Sequence, residues 1–260
     1  GILRVAHSNA LGTSAESATI MIRGDLGAVL EIDGTTANGP VNITGRIPDV
    51  ALTDTNSLTN IGSRGHLNRT STAAVFTGVI RSLGGDNSLV SPNSEIRLRN
   101  IADNANASTV AIGVDVGSLN LDGGIRGLEN DATPTVANNR ALYKVGGGTL
   151  TLSGTTANTL TGNTAIMAGT LELNKTGATI NSIAAGGTVY VGDNEGGDNA
   201  DRLVWASGLS GNQVQIASNN VIVGTSGQVD HANVTEDVLG TLTLTVGETY
   251  SADVTSGASG

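Results

Sequence analysis

The chain of 260 residues holds 37 Gly, no Cys, 13 Lys and Arg against 23 Asp and Glu, and a formal net charge of −10. The missing Cys excludes disulfide staples and thiolate metal sites, and the excess of acid argues against nucleic acid or an anionic membrane as partner, since both need clustered Lys and Arg. No apolar run approaches the roughly 18 residues of a membrane span, so membrane insertion is not expected.

Charged residues make up 14% and aromatic residues 2% of the chain, so Thr, Ser, Asn and Gly must cover most of the surface. The long straight side chains that favour helices are scarce, and the apolar residues are mainly Val, Ile, Leu and Ala in short runs between Gly and Asn. That is an all-β vocabulary with many turns. In chain order, Gly1-Ile2-Leu3-Arg4-Val5 reads as the interior of a repeat unit, and strands are predicted at 18–22 and 28–32. The stretch 38–108 follows the pattern poorly, with runs at 73–80 and 95–98, and reads either as degenerate rungs or as a loop-rich insertion. From 109 onward the runs become regular, at 109–114, 118–121, 142–145, 149–152, 170–173, 188–191, 214–216, 220–223 and 241–246.

Repetition decides between architectures. Gly148-Thr149-Leu150-Thr151-Leu152, Gly169-Thr170-Leu171-Glu172-Leu173 and Gly240-Thr241-Leu242-Thr243-Leu244 share one pattern, with Gly117-Ser118-Leu119-Asn120-Leu121 as a fourth member. Leu171 follows Leu150 by 21 residues, one turn of a coil in which each Leu pair points inward and the polar residue between them outward. A longer offset of 200 aligns Gly24, Gly27 and Val29 with Gly224, Gly227 and Val229, and one of 168 aligns Gly1 to Val5 with Gly169 to Leu173. Short units unable to bury their own apolar face are the signature of a solenoid, so the expected fold is a right-handed parallel β-helix. At ~21 residues and ~4.8 Å per turn it would hold about 12 turns over roughly 60 Å. The hairpin-like dipeptides Asp33-Gly34, Asn38-Gly39 and Asp122-Gly123 keep an antiparallel sandwich as the alternative.

The run Gly146-Gly147-Gly148-Thr149-Leu150-Thr151-Leu152-Ser153-Gly154, followed by Leu160-Thr161-Gly162-Asn163-Thr164 and Ala168-Gly169-Thr170-Leu171-Glu172-Leu173-Asn174, resembles the autotransporter-associated β-strand repeat. The likeness covers 109–245 and, less fully, 1–34. It implies a parallel β-helix in large, secreted, repetitive bacterial surface proteins, without catalysis of its own. The chain thus divides into 1–37, a partial repeat; 38–108, as above; and 109–260, rungs matching the repeat.

Polysaccharide-cleaving β-helices use acids converging on one sheet face, often with a basic partner. Here Asp25, Asp54, Asp86, Asp103, Glu129 and Asp131 fall in turns, and His7, His66 and His231 have unrelated surroundings, so a hydrolase or lyase is the alternative to a structural role. Asp193, Glu195, Asp198 and Asp201, on a Gly-rich turn, could hold Ca²⁺ through hard oxygen ligands, although the spacing matches no standard calcium loop. Arg23-Gly24-Asp25 spells an integrin-type tripeptide, whose glycine a turn would explain equally well. The expected role is an extracellular rod, stalk or fibre at a cell surface, its partners being copies of itself or flanking repeats joined end to end, with surface glycans or host receptors as further candidates.

Overall fold

The computed structural model describes residues 1–12, 18–23, 28–44, 46–52, 78–90, 96–100, 109–128, 141–177, 179–209, 213–231 and 239–256. Among them the protein is all β, with no helix. A nine-stranded sheet lines up, in this order, β1 (Ile2–Val5), β3 (Val29–Asp33), β6 (Ile80–Gly84), β9 (Thr109–Val114), β12 (Ala141–Val145), β14 (Thr164–Ile166), β16 (Val189–Val191), β18 (Val221–Val223) and β20 (Leu242–Leu244). An eight-stranded sheet runs from β4 (Asn42–Thr44) through β7 (Asp86–Val90), β10 (Ser118–Asp122), β13 (Thr149–Gly154), β15 (Gly169–Lys175), β17 (Asp201–Trp205) and β19 (Gly227–His231) to β21 (Asp253–Ser256). The third sheet has four strands, β2 (Ala18–Arg23), β5 (Arg46–Leu52), β8 (Ile96–Asn100) and β11 (Ile125–Leu128).

Neighbouring strands in all three sheets are parallel, and an isolated antiparallel bridge joins Val246 and Ser251. From β3 to β12 the chain visits the nine-, eight- and four-stranded sheets in strict rotation; beyond β12 it alternates between the first two. Parallel neighbours need a crossover, and a rotating order is compatible with a parallel β-helix or solenoid. Along the nine-stranded sheet, paired residues on neighbouring strands are separated by as little as 21 residues, Val221 to Leu242, and as much as 50, Leu30 to Ile80, so the 21-residue spacing of Leu150 and Leu171 is not general.

Because side chains alternate across a strand, the register stacks one residue from each strand into interior rows. In the nine-stranded sheet one row reads Leu3, Leu30, Ile80, Ile112, Lys144, Ile166, Val191, Val223 and Leu244. In the eight-stranded sheet Leu119, Leu150, Leu171 and Leu203 form one row, and Ile43, Leu89, Leu121, Leu152, Leu173 and Trp205 another. Most of these residues are fully buried, each Leu, Ile or Val contributing about 1.5–3 kcal/mol over its exposed state. The turns between the sheets are tight enough to demand glycine at Gly169, where φ is +68° and a Cβ would lie 2.5 Å from the Gly148 carbonyl oxygen.

Leu150 and Leu171 therefore stack in register as their spacing predicts, and Leu119 extends the row. Gly240 to Leu244, the remaining member of that pattern, lies in the other sheet. The longer offsets do not superpose equivalent strands either: Val29 belongs to β3 and Val229 to β19, while Ile2 to Val5 form β1 and Gly169 to Leu173 open β15, each pair split between two sheets. Alternating apolar residues suit either sheet, so likeness along the chain does not specify which one a segment joins. The predicted strand 214–216 is irregular backbone with a single bridge, Ile216 to Ile183.

Candidate functional site

The outward face of the nine-stranded sheet carries a charged cluster at its first turns. Arg4, Glu31 and Arg81 face one another on β1, β3 and β6. Arg4 donates from Nε and Nη2 to Asp33 Oδ2, at 2.9 and 2.5 Å. Arg81 donates to Asp115 Oδ2 from Nη2 at 2.6 Å and to Glu31 Oε1 from Nη1 at 3.2 Å. Asp33 also accepts from the hydroxyl and the amide of Thr35, at 2.5 and 3.0 Å. The Thr35 hydroxyl, then its amide and Arg4, hold the Asp33 carboxyl below its ordinary range despite burial, and Asp115 raises the Arg81 guanidinium further above its own. These carboxylates are hydrogen-bond acceptors locked to arginines, a poor basis for a general acid, which needs a carboxyl held protonated.

A second cluster is interior. Lys144 occupies the apolar row between Ile112 and Ile166 and is 0% exposed. Its Nζ donates to the carbonyl oxygens of Val145 at 3.0 Å, Gly146 at 2.5 Å and Ala168 at 2.8 Å, using all three protons of an ammonium group. Asp201, 1% exposed, starts β17 and accepts from the Ser226 hydroxyl at 2.6 Å. Burial pushes Lys144 down to about 7 against the pull of Asp201 and Asp115, and pushes Asp201 up to about 6 against the Ser226 hydrogen bond. Glycines make the space: Asp201 sits between Gly169 and Gly227 in its ladder. Lys175 is a similar case, its Nζ donating to the Gly123 and Ser153 carbonyls, with burial taking it down to about 8.

The four acids expected to share a cation are divided by this arrangement. Asp193 and Asp201 are buried whereas Glu195 and Asp198 are exposed, and Asp193 Oδ1 accepts from the Glu195 amide at 2.9 Å. Among the described residues no group of three or more His, Asp or Glu is placed to hold a metal ion. Arg23 ends β2, and Gly24 and Asp25 lie outside the described residues, as does His66. His7 Nδ1 accepts from the Asn9 amide at 3.1 Å, and the His231 ring lies 4.7 Å from that of Trp205.

Neither the outer charged cluster nor the buried lysines stood out in the sequence. Glu31 and Arg81 are 50 residues apart and meet only because β3 and β6 pair. For Lys144 a signal exists, since it shares the parity of Leu142 within a strand whose Leu must point inward.

A scan against protein-family models gives no match, and searches of curated proteins and of solved structures give none.

Proposed function

We propose that the chain is a right-handed parallel β-helix of the autotransporter-associated repeat type, acting as a non-catalytic structural segment of a secreted bacterial surface protein. The observation that carries this reading is the rotation of the chain through parallel sheets whose interior rows run from one turn to the next. A solenoid of this kind turns sequence length into axial length and offers neighbouring segments a uniform cross-section. Nine turns at about 4.8 Å supply roughly 40 Å, so a long stalk or fibre needs several such segments in series. Polar ladders along the outside, such as Ser118 Oγ donating to Asp86 Oδ1 at 3.0 Å and Thr151 Oγ1 to Glu172 Oε2 at 2.8 Å, support a solvated wall open to surface glycans or host receptors.

The polysaccharide-degrading alternative draws on the charged cluster of Arg4, Glu31, Asp33, Arg81 and Asp115 on one outer face, whose pairing with arginines nevertheless suits a general acid poorly. Incubating the purified chain with acidic and neutral polysaccharides separates the two readings. We expect no turnover; cleavage that disappears in Glu31→Gln or Asp115→Asn would establish the enzyme and overturn the structural role.

A further inference from the structure

Four of the chain's 13 Lys and Arg residues come together on the four-stranded sheet. Its register lines up Met21, Asp49, Arg97 and Arg126 in one row and, two residues further along the strands, Arg23, Ala51, Arg99 and Leu128 in another. Ile22, Ile96 and Ile125, the chain neighbours of these residues, are buried, whereas Met21 is 58% exposed and Arg126 is exposed. Alternation along each strand therefore assigns both rows to the outer face of the sheet. Arg97 and Arg126 stand directly opposite each other, about 4.8 Å apart across the sheet, and Arg99 lies about 6.6 Å from Arg97 along it. The two rows contain a single acid, Asp49.

The other two outer faces have no such excess of base. On the nine-stranded sheet Arg4 and Arg81 are matched by Asp33, Glu31 and Asp115. On the eight-stranded sheet Asp86, Glu172, Asp230 and Asp253 surround Arg202, which approaches Asp230 at 3.6 Å. With a formal net charge of −10, the chain repels a polyanion over most of its surface and admits one here. Arginines set opposite each other repel, and a carboxylate held between two guanidinium forks reverses the sign of that interaction. Single-stranded nucleic acid is gripped by aromatic platforms, and neither row contains an aromatic residue. Duplex DNA takes about 6–10 phosphate contacts, more than four arginines supply, and an anionic membrane draws clusters of about 4–8 basic residues, which Asp49 and the net charge oppose. A chain of uronic acids spreads its carboxylates along an extended backbone that two rows of arginines can follow.

Resting on the surface-segment reading above, we propose that the outer face of the four-stranded sheet binds an acidic polysaccharide, whose carboxylates are held by Arg97, Arg99 and Arg126, with Arg23 in the row of Arg99 extending the site across the sheet. The polymer is held and not cleaved.

Isothermal titration calorimetry of the 260-residue chain with polygalacturonate tests this, alongside the triple variant Arg97→Gln, Arg99→Gln, Arg126→Gln and, on a different face, Arg202→Gln. The parent should bind, and more weakly as NaCl is raised from about 0.05 to about 0.5 M. The triple variant, shown by far-UV circular dichroism to fold, should bind at least about tenfold more weakly, a few-fold for each exposed ion pair lost, while Arg202→Gln should bind as the parent does. Arg97→Lys, which keeps the charge and loses the fork, should fall between the two. Should the triple variant not fold, Arg126→Gln alone decides, with a weakening of about threefold expected. Absence of binding at about 1 mM uronate, equal binding of neutral dextran, or folded arginine variants that bind as the parent does would each overturn the proposal. So would tighter binding of duplex DNA or of phosphatidylserine vesicles, which assigns the face to another partner. Hydrogen exchange tests the coil separately: protected Leu150, Leu171 and Leu203 amides in a chain that binds no polygalacturonate defeat the binding face alone.

Discussion

The first and second halves of the molecule solve the same problem differently. Up to β11 the chain feeds a third sheet, in which β2, β5, β8 and β11 pair through their backbones. Beyond β11, among the described residues, no further strand joins that sheet; isolated backbone bonds, such as Ile183 N–H to the Gln215 carbonyl, remain, and buried amide side chains supplement them. Asn158 Oδ1 accepts from the Ile125 amide and its Nδ2 donates to the Ser182 carbonyl. Gln215 Oε1 accepts from the Lys175 amide and the Ser182 hydroxyl, while Nε2 donates back to the Lys175 carbonyl. A ladder spreads its hydrogen bonds over many residues, whereas an amide staple concentrates them in one. The second half should therefore depend far more on single side chains.

The largest effect is expected at Gln215. Gln215→Leu keeps the volume but leaves the Lys175 amide and carbonyl and the Ser182 hydroxyl without partners, a loss of about 4 kcal/mol at 1–3 kcal/mol per buried group, measurable by urea denaturation. Lys144→Met should cost about 3 kcal/mol at neutral pH, since three turn carbonyls lose their donor and Asp201 loses its nearby cation. An unchanged midpoint there would show that the row tolerates an aliphatic residue and that the ammonium contributes nothing.

Stability should also vary with pH, by at most about 1.4 kcal/mol per pH unit for each group. Asp201 is raised from 3.8 to about 6, so between those values the folded state holds a proton that the unfolded state has released, and its stabilisation is lost as pH rises. Lys144 and Lys175 are lowered from 10.5 to about 7 and about 8, so above those values the unfolded state holds the extra protons and stability climbs with pH. These groups together predict a minimum between about pH 6 and 7 in thermal melts, with the alkaline limb shallower in Lys144→Met. The smallest effect belongs to the strand-built side, where Ile125→Val in β11 should cost about 1 kcal/mol, because the backbone pairing with β8 remains.

Much of the strand plan was readable from residues alone. Runs with alternating Leu, such as Leu119 and Leu121 or Leu171 and Leu173, announce an inward face whatever their surroundings, and they form β10 and β15. The strands that escaped are those whose outward positions are charged or whose inward positions are polar. In β7 the inward residue at 87 is Asn, which bonds the Val41 amide and the Ser82 hydroxyl instead of packing as Leu. In β17 Asp201 and Arg202 open the strand, and in β19 Gln228 and Asp230 flank Val229, so the apolar run never reaches a recognisable length. Within the stretch that fits the repeat poorly, β4 to β8 nevertheless supply strands to all three sheets. The amide staples were illegible for another reason: Gln215 and Lys175 are 40 residues apart, and only the stacking of turns makes them neighbours.

Lys144 has a consequence for how the molecule finds its alignment. Interior rows of Leu, Ile and Val are nearly interchangeable, so a newly collapsed chain has little reason to prefer one stacking of turns over another displaced by a whole turn. The Lys144 ammonium group works against that degeneracy, as Lys175 does in the eight-stranded sheet, because its third proton is satisfied only where the Ala168 carbonyl has arrived. Any other stacking leaves a buried amine short of hydrogen-bond partners. Lys144 thus serves as an index mark that tells the folding chain which turn belongs on top of which.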